Sequence, residues 1–167
     1  IKDGGTIGVA SAADAMTVSS AGIVTFKDDI LIKDGGTIGV ASDADVITIA
    51  STGVTTFSKA VVGSTDTDTS NTGSVTLDFN TNQNFVLTFT GNVTLANPST
   101  ESVGQTGVII CIQDGTGSRT LSLGTDYETV GGAGITLSTA AAAVDVIPYV
   151  VKASGSIQLG APQLAFS

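Results

Sequence analysis

The apolar and polar positions near the start of the chain form a pattern that occurs twice. The segment Ile1–Ser11 recurs without change as Ile32–Ser42, so the period is 31 residues, the offset from position 1 to position 32. Further along the two copies, apolar residues replace one another at equivalent positions, for example Met16 and Ile47. Similarity at a fixed spacing indicates a repeat architecture.

Each copy predicts a short β-hairpin. Apolar and polar residues alternate, a short glycine-containing turn follows, and the chain returns with a second apolar segment. The two hairpins cover residues 15–26 and 46–57. Upstream of them, Asp3–Gly5 and Asp34–Gly36 predict another tight turn, because glycine tolerates a positive φ angle.

A hairpin of this size carries too few apolar side chains to be stable alone in water. We therefore predict that residues 1–63 form a fibre shaft, in which the hairpins of three identical chains intertwine around one axis. A monomeric β-solenoid edge of a larger protein is the alternative interpretation. The side chains expected to be buried between chains are Met16, Val18, Phe26, Ile47, Ile49 and Phe57.

The middle of the chain is polar. Residues 64–73 contain no apolar side chain, which predicts a linker or hinge. The spacing of Asp66 and Asp68 resembles the start of a calcium-binding loop. That loop requires glycine at its sixth position and glutamate at its twelfth, where this chain has Asn71 and Leu77. The sequence therefore does not predict a metal site here.

Residues 74–167 predict a compact β domain. Short segments rich in β-branched residues recur at regular spacing with glycine turns between them, which is typical of a β-sandwich or jelly roll. Gly91–Asn92 predicts a two-residue hairpin turn, and the nearly continuous apolar run within 107–113 predicts a central strand. The predicted strands are 75–79, 85–89, 93–95, 107–113, 119–123, 135–137, 144–152, 156–159 and 164–166.

The composition supports an all-β chain with an acidic surface. The net charge is −9 and only 13% of the residues are charged, which argues against binding to nucleic acid or to an anionic membrane. No apolar run is long enough to span a bilayer.

The residue types also exclude most catalytic chemistry. The chain has no histidine, so Ser-His-Asp catalysis and histidine zinc sites are excluded. Its one cysteine, Cys111, lies in an apolar run and is interpreted as a small core residue. A pair of carboxylates for glycan cleavage could come from Asp114, Asp126 or Glu128, although aspartates in surface turns are far more common. We therefore predict a non-enzymatic protein with no catalytic, cofactor-binding or metal-binding residues.

Several segments resemble tail-fibre proteins of marine, cyanophage-like bacteriophages. Residues 30–39 and 46–57 look like shaft repeats of such fibres, and residues 84–98 with 107–117 look like their terminal domain. The resemblance implies a homotrimer in the virion that faces the outside and connects upstream to other virion proteins. It also implies adsorption to a bacterial envelope, without insertion into the membrane.

Two interpretations of the function follow from this resemblance. In the first, the C-terminal domain attaches the fibre to a host glycan or an outer-membrane protein. The candidate contacts are Arg119, beside a glycine turn, and Tyr127 and Glu128 in the 126–134 loop, because aromatic and arginine side chains often anchor recognition. In the alternative, the chain is a capsid decoration or a connecting fibre segment with a purely structural role. A bacterial surface filament subunit is a third possibility.

Overall fold

The computed structural model of the chain describes residues 6–9 and 11–166, and these residues form an all-β protein. The sequence-based prediction of the all-β class is confirmed. The chain divides into two compact units, Ile1–Val61 and Val62–Ser167. The strands are β1 Thr6–Val9, β2 Ala12–Val18, β3 Val24–Phe26, β4 Thr37–Val40, β5 Asp43–Ile49, β6 Thr55–Phe57, β7 Thr65–Thr76, β8 Asn84–Ala96, β9 Thr106–Gln113, β10 Leu121–Leu123, β11 Tyr127–Glu128, β12 Val144–Ala153, β13 Ser156–Leu159 and β14 Gln163–Phe166.

The first unit contains two three-stranded antiparallel sheets, one for each repeat. Their strand orders are β1-β2-β3 and β4-β5-β6. The hairpins predicted from the repeats are present as β2–β3 and β5–β6, and each sheet has a preceding strand that the sequence did not predict. The two sheets have equivalent registers, with Met16 paired to Ile7 and Phe26 in the first and Ile47 paired to Ile38 and Phe57 in the second.

Glycines close the turns of these hairpins. Gly22 and Gly53 have φ angles of 77° and 82°, a region that a side chain rarely allows. Their N–H groups donate to the carbonyl oxygens of Ser19 and Ala50, each at 2.9 Å. The predicted turn at Asp34–Gly36 also forms, while its counterpart Asp3–Gly5 lies outside the described residues.

The repeat sheets leave large apolar side chains in solvent. Phe26 is 42% exposed and Phe57 is 52% exposed, and Ile38 is similarly open. The buried hydrophobic cluster of the described residues lies wholly in the second unit, between Leu77 and Leu159. Each repeat sheet therefore has an apolar surface without a core of its own.

The segment predicted as a linker is a strand, and this prediction was wrong. Residues 65–76 form β7, which pairs in parallel with β8 along its length. Among the described residues, no strand pairs with the other edge of β7. An edge strand tolerates a polar sequence because most of its side chains face water, and here only the Asn71 side chain is buried.

The predicted hairpin at Gly91–Asn92 is also absent, because β8 continues through this position. Asn71 of β7 pairs with Phe89 and Gly73 pairs with Val93, so β8 has a bulge of extra residues between them. The second half of β8 is held in place by β10, where Val93 donates its N–H to the Thr120 carbonyl at 2.9 Å. Glycine and asparagine are common in both β-bulges and hairpin turns, so Gly91–Asn92 is compatible with either.

The second unit is built on one curled, eight-stranded sheet. Its order is β10-β8-β9-β12-β13-β11, with β7 beside β8 and β14 beside β12. β8 pairs in parallel with β7, β9 and β10, whereas β12 pairs antiparallel with β9, β13 and β14. Alternate side chains face the core, where the Phe79 ring lies 5.0 Å from the Phe85 ring and 5.2 Å from the Tyr149 ring, measured between centroids.

Candidate functional site

Arg119 lies in a turn that its own neighbours hold rigid. The turn follows β9, and Asp114 accepts hydrogen bonds from the N–H groups of Thr116 and Gly117, each at 2.9 Å. The other oxygen of the Asp114 carboxylate accepts from Nε and Nη2 of Arg119, at 3.1 and 2.8 Å. The buried Gln113 side chain accepts from the Arg119 N–H and donates to its carbonyl oxygen. Arg119 is thus part of the turn's structure.

Electrostatics of this turn favour the ionised carboxylate. The hydrogen bond from Arg119 and then that from the Gly117 N–H lower the pKa of Asp114 from 3.8 to about 2. A carboxyl group whose pKa is lower in the folded chain stabilises the fold above its ordinary pKa. That contribution is lost as the pH falls through the folded value.

We therefore predict a specific acid sensitivity between about pH 4 and pH 2. The melting temperature of the wild type should fall across this window. The Asp114→Asn variant should have a lower melting temperature than the wild type at pH 5, and its melting temperature should fall less across the window. Some fall remains because Asp78 and Glu128, whose pKa values are also lowered, still titrate. Thermal unfolding followed by circular dichroism at half-unit pH steps measures both. Identical pH profiles for the two proteins would contradict the prediction.

Glu128 lies on β11 and is held by a polar cluster. Its carboxylate accepts a 2.6 Å hydrogen bond from the Ser156 hydroxyl and pairs with the Lys152 ammonium at 3.0 Å. These two contacts, the hydroxyl first, lower the pKa of Glu128. Gln158 donates at the longer distance of 3.5 Å. Glu128 is partly exposed, so its carboxylate is a negative group at the surface of this unit.

Tyr127 is a core residue, contrary to its prediction as a loop contact. Its side chain is 5% exposed, because β11 pairs in parallel with β13 and aligns Tyr127 with the buried Ile157. Alternation along this short strand places Glu128 outside and Tyr127 inside. Burial raises the pKa of Tyr127, and its hydroxyl makes no hydrogen bond within the described part of the chain. Because so little of its side chain is accessible, Tyr127 offers only a small contact surface to a receptor.

A groove of about 770 Å³ runs beside Glu128. It is lined by residues 121–124, by Tyr127, Glu128 and Thr129, and by residues 132–135. Arg119 does not line it. Hydroxyl groups of Ser122 and Thr129 and the carboxylate of Glu128 give the groove the hydrogen-bonding groups that suit a polyhydroxylated ligand. The structure therefore brings Glu128, but not Arg119, to a concave surface.

Other candidate chemistry is limited. Within residues 6–9 and 11–166, no group of three or more His, Cys, Asp or Glu residues is arranged to hold a metal ion. Cys111 is buried, as its apolar surroundings predicted, and burial followed by the charge of Asp145 raises its pKa to about 12. The described part of the chain also contains no helix long and apolar enough to cross a membrane.

The sequence missed three buried polar residues that organise this unit: Asn71, Gln113 and Asp145. The Asn71 amide donates to the carbonyl oxygens of Asp68 and Thr88, at 3.1 and 3.2 Å, and so ties β7 to β8. Asp145 is 1% exposed and accepts hydrogen bonds from Ser138 and Ala165. Each of these residues therefore joins separate segments of the second unit.

Comparison with known families identifies the class of protein. A family of phage tail-fibre domains matches residues 65–156, which is more than half of the chain. The match covers the strands from β7 to the start of β13, including the groove and the Arg119 turn. The chain is therefore a structural component of a bacteriophage virion, in its tail fibre.

The chain belongs to the family described as "Putative phage tail fibre C-terminal domain". Neither the curated proteins nor the solved structures give a significant match to the chain. The tail-fibre part of the sequence-based prediction is confirmed by the family.

Proposed function

We propose that this chain is an attachment segment of a tail fibre, in which three copies associate through their repeats and the C-terminal unit contacts the host surface. The observation that carries the proposal is the pairing of a tail-fibre domain with repeats that expose their apolar side chains. A shaft of repeats would hold the terminal domain away from the rest of the virion. We further propose a marine, cyanophage-like phage as the source, on the likeness of residues 30–57 to shaft repeats.

The contact with the host would use hydrogen bonding more than apolar burial. The groove beside Glu128 offers hydroxyl and carboxylate groups, which suits a surface glycan or a polar loop of an outer-membrane protein. Arg119 remains a second candidate contact at its separate turn. The family is structural, and we propose that attachment takes place without cleavage of the receptor.

Competition for phage adsorption tests the proposal. Host cells incubated first with the purified chain should adsorb fewer phage particles, because the chain occupies the receptor. Glu128→Gln should weaken binding of the labelled chain to cells by about fivefold, because a charge-assisted hydrogen bond becomes a neutral one, a loss of about 1 kcal/mol. Asp66→Asn is the matched control, since it makes the same carboxylate-to-amide change on β7, away from the groove lining.

The alternative function predicts a different result. A connecting segment of the fibre would not bind cells above background, and antibodies to the chain would then label the middle of the fibre in virions. Absence of both competition and cell binding, with the chain folded, would reject the attachment role.

A further inference from the structure

The outward side of the curled sheet carries rows of apolar side chains. Val86 of β8, Ile110 of β9 and Val146 of β12 are directly paired and form the central row. Thr88, Ile112, Val144 and Phe166 form the next row, across four strands, and Thr88 is the polar member of this row. Val108 pairs with Pro148 in a third row. We call these three rows the outer face.

The outer face is separate from the buried core. In β9, Ile109 and Cys111 are buried in the core, whereas the alternate residues Val108, Ile110 and Ile112 are only partly buried. The partly buried residues that pack against the core are Val75, Leu123 and Ile135, and none of them belongs to the outer face. Within the described residues, this central sheet is thus apolar on both sides.

A sheet with one side in water normally alternates apolar and polar residues. Strands that are apolar on both sides are typical of sheets covered on both sides. Phe166, 48% exposed at the border of the outer face, adds an aromatic ring to this surface. The pattern indicates that something covers the outer face in the assembled fibre.

The distribution of charge indicates which partner covers the outer face. The chain has a net charge of −9, so two copies repel each other over most of their surfaces. The outer face contains no charged side chain. A second copy can therefore approach here without like-charge contacts, and both copies gain by burying β-branched side chains.

We propose that the outer face is an interface with a second copy of this chain, centred on Val86, Ile110 and Val146. The inference rests on the proposed function, in which copies of the chain associate in a fibre. It adds an interface in the C-terminal unit to the interface proposed for the repeats. It assigns the apolar run of β9 two roles, with one side in the core and the other between subunits.

The dissociation constant of the full-length chain, measured by sedimentation equilibrium, tests this interface. Val146→Lys places a charge in the central row and should weaken association at least tenfold. Val103→Lys, at a 69% exposed position outside the three rows, should change it less than twofold. Equal effects of the two variants, or a wild-type chain that is monomeric at all concentrations, would overturn the proposal.

A second measurement covers the case in which the lysine variant fails to fold. Val146→Thr keeps the shape and β-branching of the side chain but adds a hydroxyl, and it should weaken association severalfold while circular dichroism stays unchanged. The thiol of Val146→Cys should react with a maleimide at least tenfold more slowly in the assembled chain than after dilution to monomers, whereas that of Val103→Cys should react equally fast in both states, and the buried Cys111 adds little background. Labelling of Val146→Cys that is equally fast in the two states would reject the interface, whereas the adsorption experiment tests host attachment on its own.

Discussion

Replacing both Phe26 and Phe57 with serine is expected to weaken association of the chains so strongly that they dissociate at concentrations where the wild type stays assembled. These residues occupy equivalent positions in the two repeat sheets, each paired with the central strand of its sheet. About half of each ring is exposed in the single chain. Covering that remainder in an assembly is worth about 2 kcal/mol per ring, from about 25 cal/mol for each Å² of apolar surface.

The double variant should therefore lose about 4 kcal/mol of association free energy per chain, close to a thousandfold in the dissociation constant. Light scattering coupled to size-exclusion chromatography measures the mass. The matched control is Thr25→Ser with Thr56→Ser, which alters the neighbouring residues of the same strands and should leave the mass unchanged. A trimer that survives the loss of both rings would show that the repeats do not hold the chains together.

Asp145→Ala is expected to destabilise the second unit by about 3 kcal/mol, since three donors lose a buried acceptor. The Asp145 carboxylate accepts from the Ser138 N–H and hydroxyl, both at 2.7 Å, and from the Ala165 N–H at 2.9 Å. These bonds attach the segment before β12 and the C-terminal strand β14 to the centre of the sheet. Within the described residues, no other side chain accepts a hydrogen bond from Ser138 or from the Ala165 N–H.

Two milder variants grade the effect. Asp145→Asn keeps one oxygen, which can still accept from the Ser138 hydroxyl and from Ala165, so it should cost about half as much. Ser138→Ala removes only the hydroxyl and should cost about 1 kcal/mol. Urea unfolding at a fixed chain concentration measures the loss of unfolding free energy for each variant. The expected order, from the largest loss to the smallest, is Asp145→Ala, Asp145→Asn and Ser138→Ala. An Asp145→Ala chain as stable as the wild type would contradict the role of this carboxylate.

The sequence was sufficient for the repeats and the all-β class because their signals are local. The 31-residue period and the glycine turns can be identified directly in the sequence, and the structure has hairpins at the predicted positions. The parallel pairing of β7, β8 and β9 leaves no such signal, since the partners lie far apart in the chain. For that reason the polar β7 was mistaken for a linker, and the bulge at Gly91 for a turn.

The inward position of Tyr127 and Asp145 could not be derived for a related reason. In β12, apolar residues stand on both sides of the strand, with Val144 and Val146 on one side and Ile147 on the side of Asp145. When both faces are apolar, the alternation does not reveal which face is the core. Tyr127 belongs to a strand of two residues, too short to show any period, so its direction depends on pairing with β13.

The unpaired edge of β7 bears on how the second unit avoids aggregation by strand addition. Parallel strands stacked in register can, in principle, recruit further strands without limit, as in amyloid. β7 meets that hazard with Asp66 and Asp68 and a sequence of small hydroxyl side chains. An in-register copy added to this edge would stack carboxylate upon carboxylate, and the resulting repulsion opposes the addition of further strands at β7.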